Sequence, residues 1–242
     1  MNEKEVKERE RVSELYRIED ELHKKGIELV GGTDEAGRGP LAGPVVAACV
    51  ILKPDVFIDH LNDSKKLSEK RREEAFKEIV ENALSIGVGL SDVAEIDEIN
   101  ILQADYRAMK RAIAAMKTKP QFVIGDAVKT PDLGIDQNPL VKADAKVAAV
   151  AAASIIAKVT RDHIMRVYDS VVPEYGFAKH KAYGTKAHYE AIEKYGILPI
   201  HRRTFLQKRI EAGKLVAKER EVAFEDPNQI MNDFLRQYGL PD

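Results

Sequence analysis

Two adjacent carboxylates, Asp34 and Glu35, stand between apolar segments in the stretch GGTDEAGRGPLAGPVV near the start of the chain. They are followed at once by Arg38, which has Gly37 and Gly39 on either side. Carboxylates with apolar neighbours are costly to bury unless they pair with a cation or bind a metal ion. The glycines allow backbone amides to approach a phosphate or a sugar that side chains would obstruct. The stretch is therefore a candidate for metal-assisted chemistry on a phosphate ester.

Two further aspartates resemble Asp34 in their position, although the chain has 40 acidic residues. Asp126 follows the apolar run FVIG and Asp144 precedes KVAAVAAAS, so each lies at the edge of a segment that we expect to be buried. Carboxylates that converge on one pocket raise each other's pKa values, and divalent cations reverse that penalty. For Asp144, capping of the following helix is an alternative role.

All-oxygen ligation is typical of Mg²⁺ or Mn²⁺ sites. Two such ions about 3.5 to 4 Å apart can activate water and stabilise the leaving oxygen of a phosphodiester. Zinc hydrolysis is poorly supported, since neither H-E-x-x-H nor C-x-x-C occurs. The glycine turn lacks a following G-K-[ST], so it is not a P-loop, but a phosphotransferase that binds nucleotide phosphates at this turn remains an alternative.

The elements that must position these residues can be predicted from periodicity and caps. IELVGGT and VVAACVIL indicate a hairpin with Asp34 and Glu35 at the end of its first arm. QFVIGD indicates a strand that ends at Asp126, and an alanine-rich helix over 143–168 indicates close packing on a sheet. Together these segments favour a mixed sheet with helices packed on it. A further strand is expected over 85–90, and the other helices over 4–25, 68–84, 95–117, 185–195, 204–224 and 227–239.

The composition is that of a globular chain with a substantial core, since 44% of its 242 residues are hydrophobic. No run of 18 apolar residues occurs, and the amino terminus is a mixture of charges, so we expect neither a membrane span nor a signal peptide. We therefore expect a cytoplasmic monomer. The net charge of −2 argues against binding nucleic acid by bulk charge alone. Residues 179–209 nevertheless carry eight Lys or Arg against Glu190 and Glu193, which indicates either a solvated helical face or a strip that faces phosphates.

Six stretches in order resemble the type 2 ribonucleases H, the bacterial ribonuclease HII family. The resemblance covers about residues 27 to 206, and so many motifs in the right order are specific. It implies a ribonuclease H-like α/β fold, a mixed sheet flanked by helices, with a helical C-terminal part. The matching stretches are TDEAGRGPLAGPVV, DSKKLSEKRR, EIDEINIL, ADAKVAAVAAASIIAKVTRD, YGFAKHKAYGT and GILPIHRRTF.

The resemblance also implies a catalytic set, which holds two divalent ions, Mg²⁺ or Mn²⁺. Such enzymes cut the RNA strand of RNA/DNA hybrids and incise at single ribonucleotides in duplex DNA, and they leave a 3′-hydroxyl and a 5′-phosphate. The implied catalytic and metal-binding residues are Asp34, Glu35, Asp126 and Asp144, the residues already selected by position.

Substrate contacts follow from the same resemblance. Gly37, Arg38 and Gly39 would contact the ribose and its phosphate through the backbone, and Tyr183 of HKAY would stack near the sugar whose 2′-hydroxyl marks RNA. Without the motif, Tyr183 would be read as a packing aromatic. The residues that would hold phosphates are Lys65, Lys179, Lys181 and Arg202.

The chain departs from the family's pattern where Ala182, Ala143 and Ala127 replace common glycines. If position 182 needs a positive φ angle, alanine there is strained and Tyr183 is displaced.

We expect three parts: an N-terminal charged amphipathic helix (1–26), the catalytic domain (27–206) and a C-terminal helical extension (207–242). A catalytically silent nucleic-acid-binding module is the main functional alternative, and a replication or repair protein is a candidate partner.

Overall fold

Five strands form one mixed sheet in the computed structural model, which describes residues 3–54, 56–126, 129–216 and 218–240, without the side chains of Lys4 and Asp126. The strand order is β3-β2-β1-β4-β5, with β1 antiparallel to β2 and parallel to β4. Strand β2 is antiparallel to β3, and β5 is parallel to β4. The strands are β1 (Val30–Ala36), β2 (Val45–Leu52), β3 (Ala83–Ser91), β4 (Phe122–Asp126) and β5 (Asp136–Leu140).

Helices cover both faces of this sheet. Alternate residues of β2 enter two separate apolar clusters: Val46 and Ala48 pack on one face, and Ala47 and Cys49 on the other. The buried Cys49 is a core residue, as its apolar surroundings predict. The helices are α1 (Glu3–His23), α2 (Glu69–Asn82), α3 (Val93–Ala115), α4 (Ala148–Val171), α5 (Phe177–His180), α6 (Lys186–Tyr195), α7 (Arg203–Glu211) and α8 (Pro227–Arg236).

Helix α4 lies directly on β1, the strand that carries Asp34. A Cβ atom on Gly32 of β1 would lie 2.2 Å from the carbonyl carbon of Ala149, so only glycine permits this approach. The alanines at the start of α4 are buried. The small residues on both elements therefore bring the helix backbone close to the strand, as the alanine-rich sequence predicts.

Helix α4 begins at Ala148, five residues later than the sequence pattern predicts. Asp144 instead lies in a short 3₁₀ turn, Ala143–Ala145, ahead of the helix. The N-cap residue of α4 offers no side-chain cap, and Glu19 of α1 accepts hydrogen bonds from the Ala148 and Ala149 amides at 3.0 and 3.1 Å. Burial raises the pKa of Glu19 to about 8, and the two amide hydrogen bonds oppose the rise. Helix α1 thus fixes the start of α4 beside Asp144.

The two ends of the chain pack on the sheet's main apolar cluster. Val12 and Leu15 of α1 and Ile230 and Phe234 of α8 are buried there. Helix α1 also holds the segment before α2, because the Arg11 side chain donates a 2.7 Å hydrogen bond to the Leu61 carbonyl. The division at residues 26/27 and 206/207 stays a prediction.

Several predicted elements are confirmed: the hairpin of β1 and β2, strands β3 and β4, and the helices predicted over 68–84 and 185–195, which are α2 and α6. Their N-cap residues are Ser68 and Thr185. The predicted helix over 204–224 is wrong in its length, because α7 ends at Glu211 and Gly213 follows with a φ of 63°. Strand β5 was not predicted, since its sequence DQNPL has neither alternation nor an apolar run. No helix in the described ranges is both long and apolar enough to cross a bilayer.

Candidate active site

The ends of two neighbouring strands bring two of the predicted carboxylates to one place. Strands β1 and β4 run parallel, and their last aligned pair is Thr33 with Gly125. Asp34 and Asp126 are the next residues on each strand, so their backbones are neighbours at this edge of the sheet. The side chain of Asp126 lies outside the described part of the structure.

Asp34 is a buried carboxylate, and only 4% of the residue is exposed. Burial, together with the negative charges of Glu35 and Asp144, raises the pKa of Asp34 to about 8, and a hydrogen bond from Ser154 opposes the rise. Such an environment penalises the ionised carboxylate and would be relieved by bound cations. The carboxylates of Asp34, Glu35 and Asp144 therefore interact, as their predicted common site requires.

Two serines that were not predicted as site residues support Asp34. Ser154 lies on α4, and its hydroxyl is 2.8 Å from the hydroxyl of Ser64, which is buried. Because Ser154 gives its proton to Asp34, Ser64 must be the donor to Ser154. Ser154 could have been recognised as the only hydroxyl in the run AAVAAASIIA.

Lys65 follows Ser64 and is exposed beside the carboxylates. Partial burial lowers the pKa of Lys65, but the negative charges of Asp34, Asp63 and Asp144 outweigh this effect and raise the pKa overall. The lysine therefore carries its positive charge next to the carboxylates. This position agrees with the phosphate contact that the sequence predicts for it.

A fifth carboxylate, Asp105 of α3, joins the group. The Arg38 guanidinium lies between Glu35 and Asp105, with Nη1 3.5 Å from Glu35 Oε1 and Nε 3.7 Å from Asp105 Oδ2. Burial, together with the charges of Glu35 and Asp34, raises the pKa of Asp105 to about 8, and Arg38 opposes the rise. Asp105 was not predicted as a site residue, although it is an acidic residue on the same helical face as the buried Ala108, Met109 and Ala112.

The chemistry of this donor set fits divalent cations, because it consists of carboxylate oxygens around a buried Asp34. Among the side chains that the structure describes, no three His, Cys, Asp or Glu residues already stand in metal-holding geometry. Asp126, the fourth residue of the predicted set, is not among these side chains, because its side chain lies outside the described part of the structure.

Two buried arginines bind the glycine turn, residues 37–44 between β1 and β2. Arg161 of α4 donates to the carbonyls of Pro44, Ala42 and Lys181 at 3.0 to 3.1 Å. Arg202 donates to the carbonyls of Gly37, Arg38 and Gly43 at 2.6 to 3.0 Å. Both guanidinium groups thus bind the turn through its carbonyl oxygens, on the side away from solvent.

This geometry corrects the predicted role of Arg202. The residue is fully buried and bonded to the turn, so its side chain does not reach a phosphate. Lys181 is also mostly buried, and its ammonium donates to the Ala178 carbonyl. Only Lys179 of the predicted C-terminal phosphate contacts is exposed. The basic segment 179–209 is therefore partly structural.

Tyr183 lies against the glycine turn with 46% of the residue exposed. A Cβ atom on Gly39 would be 3.5 Å from its Cε1 atom. The preceding residue, Ala182, has a φ of 65°, which is the positive angle expected from the family's usual glycine. The Leu41 amide donates a 2.8 Å hydrogen bond to the Ala182 carbonyl, so the turn and the HKAY segment are joined despite the alanine.

Two histidines near Tyr183, His201 and His188, form a buried chain of hydrogen bonds. The Leu198 amide donates to Nδ1 of His201 at 2.8 Å, and Nε2 of His201 is 3.1 Å from Nε2 of His188. Nδ1 of His188 is 3.0 Å from the Tyr183 carbonyl. His201 must therefore donate to His188, and His188 to Tyr183. Burial lowers the pKa of His201 to about 3 and that of His188 to about 4, so both rings are neutral.

A family model described as Ribonuclease HII matches residues 31–208. The chain belongs to the ribonuclease HII family. A Ribonuclease HII from Clostridioides difficile (strain 630) is 57% identical to it over 201 residues, which are 83% of this chain and 79% of that protein. Enzymes of this family are metal-dependent ribonucleases H of type 2 that act on RNA/DNA hybrids, so the chain is an enzyme of that class.

Solved structures of ribonucleases HII have the same fold. The ribonuclease H2 from Pyrococcus horikoshii OT3 has a TM-score of 0.62 and 28% identity, over 86% of this chain and 99% of that one. The enzyme in the PCNA:RNase HII complex from Archaeoglobus fulgidus has a TM-score of 0.55 and 26% identity, over 83% of this chain and 99% of that one. The predicted ribonuclease HII fold, a mixed sheet flanked by helices with a helical C-terminal part, is confirmed.

Proposed function

We propose that this ribonuclease HII incises duplex DNA at single embedded ribonucleotides as well as cutting the RNA strand of hybrids, with two divalent ions. The observation that supports this most strongly is the buried Asp34 beside Glu35 and Asp144, with Arg38 and Lys65 on the same edge. Two observations favour an active enzyme over the silent binding module. The chain belongs to the ribonuclease HII family, and all four predicted carboxylates are present in its sequence.

Asp34, Glu35, Asp126 and Asp144 are the residues that would hold the ions, either Mg²⁺ or Mn²⁺. When bound, two such ions supply an activated water and charge stabilisation for the leaving oxygen. The chain's own part is to keep the carboxylates in place: Ser154 donates to Asp34, and Glu19 fixes the helix that follows Asp144. The 3′-hydroxyl and 5′-phosphate ends follow from release of the 3′ oxygen.

The glycine turn and Tyr183 would select the ribonucleotide. Arg202 binds the carbonyls of Gly37 and Arg38 on the buried side of the turn. The backbone amides of Gly37, Arg38 and Gly39 would contact a sugar or phosphate oxygen on the other side. Tyr183 offers a half-exposed ring next to Gly39, where a sugar can stack. The 2′-hydroxyl is the only group that distinguishes RNA from DNA at one nucleotide, so recognition must occur at this sugar.

Lys65 and Lys179, both exposed, would contact phosphates and position the duplex without reading its sequence. The relative from Archaeoglobus fulgidus is seen in a complex with PCNA. We therefore propose a replication or repair protein as a partner of this chain. The monomeric state and the cytoplasmic location stay predictions.

A cleavage assay with three duplexes tests this function. One duplex carries a single ribonucleotide, the second is a long RNA/DNA hybrid, and the third is all DNA. We expect Mg²⁺-dependent cutting of the first two, with no cutting of the third and complete inhibition by EDTA. Mapping should place a 3′-hydroxyl and a 5′-phosphate at the cut.

Two outcomes would count against the proposal. Cutting of the hybrid without any cutting of the one-ribonucleotide duplex would restrict the enzyme to hybrids and remove the role given to Tyr183. Tight binding of all substrates with no Mg²⁺-dependent cutting would favour the silent binding module.

A further inference from the structure

Asp105 is a buried acid that the predicted catalytic set does not include. Only 2% of the residue is exposed, and no described residue donates a hydrogen bond to its Oδ1 atom. A buried carboxyl group with an unsatisfied oxygen costs free energy that well-packed apolar residues would avoid. Such a group in a native fold needs an explanation, and a functional role is one of the few available.

The one ion pair of Asp105 in the described structure is with Arg38, at 3.7 Å. The backbone of Arg38 is already fixed, because its carbonyl accepts a 3.0 Å hydrogen bond from Arg202. Its guanidinium is held from two directions, by Glu35 on β1 and by Asp105 on α3. The Arg38 side chain is still 44% exposed. Part of its fork of five N–H donors therefore remains accessible to a phosphate.

The two carboxylates that hold Arg38 differ in the proposed reaction. Glu35 is a proposed metal ligand, so it shares its charge with a cation when the enzyme is loaded. Asp105 has no such role, and its burial on α3 keeps it in place. The hold on Arg38 in the loaded enzyme then depends mainly on Asp105.

We propose that Asp105 is a positioning residue that keeps the Arg38 guanidinium beside the carboxylate cluster, where it binds a backbone phosphate of the nucleic-acid substrate. This inference rests on the proposed function, because the phosphate belongs to the duplex that the cluster cuts. Asp105 touches no substrate and acts only through Arg38.

A double-mutant cycle tests this pair. The cycle compares the natural protein, Asp105→Asn, Arg38→Ala and the double variant by KM and kcat for the one-ribonucleotide duplex, and by Kd from fluorescence anisotropy with Ca²⁺ in place of Mg²⁺. We expect Asp105→Asn to raise KM and Kd about five- to tenfold, the usual effect of losing a charge-assisted contact, with kcat changed less than about twofold. In the Arg38→Ala background the same change should have almost no effect.

The melting temperature separates positioning from a purely structural role. Asparagine has the shape of Asp105 without an ionisable group whose charged form burial disfavours, and Arg38 stays 44% exposed to solvent. The melting temperature of Asp105→Asn should therefore stay equal or rise while substrate affinity falls. Asp105→Ala is the second variant and should show the same rise in KM. Glu95→Gln is the matched control. Glu95 also forms ion pairs with arginines, Arg107 and Arg111 of α3, but its charge does not contribute to the pKa shifts of Asp34 or Asp105. Its KM should be unchanged.

Three results would overturn the proposal. The first is that the effects of Asp105→Asn and Arg38→Ala are additive, and the second is that KM and Kd are unchanged in both Asp105 variants. The third is a large rise, in the Asp105 variants, in the Mg²⁺ concentration needed for half-maximal rate, which would make Asp105 a metal ligand. If the natural protein cuts no substrate, the proposed function fails, and the Kd values of the cycle alone decide whether Asp105 acts through Arg38.

Discussion

Asp34→Asn should lose cleavage of a one-ribonucleotide duplex by about 10³-fold or more, because several kcal/mol of charge stabilisation by the bound ions are lost with this ligand. The fold should survive the change. Asparagine has the same shape, and it removes a buried charge that Glu35 and Asp144 repel. The melting temperature of the metal-free variant should therefore be higher than that of the natural protein. Steady-state cleavage and thermal unfolding in EDTA measure the two effects.

The gain in stability of Asp34→Asn over the natural protein should depend on pH. Burial raises the pKa of Asp34 to about 8 from its usual 3.8, so the folded state favours the protonated form. As pH rises from about 4 to about 8, the unfolded chain releases the Asp34 proton whereas the folded chain retains it. The natural protein therefore loses stability through this group over that range. Asp34→Asn has no proton to lose, so its advantage should grow across this range.

Glu78→Gln is a suitable control for both effects. Glu78 lies on α2, and partial burial also raises its pKa, but it contributes no charge effect to Asp34 or Asp105. This variant should cut at the natural rate. Full cleavage by Asp34→Asn would show that the carboxylate is not part of the active site.

Gly37→Ala should be among the most damaging single substitutions in the chain. Gly37 has a φ of 106°, and an added Cβ atom would lie 2.2 Å from Nε of Arg161, which is fully buried. Strain at such a φ and overpacking against a fixed side chain each cost about 1 to 3 kcal/mol, so the free energy of unfolding should fall by about 2 to 6 kcal/mol. Urea denaturation measures the loss, and cleavage should fall with it because the turn carries Arg38.

Gly213→Ala is the matched control for this loss. Gly213 also has a positive φ, 63°, but nothing lies within 4 Å of an added Cβ atom. Its substitution should cost only about 1 kcal/mol, the strain term alone. If Gly37→Ala costs no more than Gly213→Ala, Arg161 does not fix the turn tightly.

The residues of the candidate site could be selected from the sequence because their signals are local. Carboxylates at the ends of apolar strands, glycines around Arg38, and caps such as Ser68 are each visible within a few residues of sequence. The edge strand β5 could not be predicted in this way, since it contains Pro139 and has mostly exposed or half-exposed side chains. Its pairing with β4 depends on a neighbour that is distant along the chain.

The roles of long side chains were harder to predict than their presence. Arg202 belongs to a basic segment, and nothing local shows that it is buried under the glycine turn rather than exposed to phosphate. Asp105 was hidden in the same way, because its partner Arg38 is 67 residues away in sequence. Glu19 caps α4 from another helix, at a separation of 129 residues. Such contacts depend on the folded arrangement.

Calorimetric titration with Mn²⁺ tests most directly whether these carboxylates share divalent ions. The natural protein should give a saturable heat of binding, Glu78→Gln should bind with the same affinity, and Asp34→Asn should bind at least about 100-fold more weakly, in line with the loss of a direct ligand. Equal Mn²⁺ affinity in Asp34→Asn and the natural protein would contradict the account, because the ions would then lie away from Asp34.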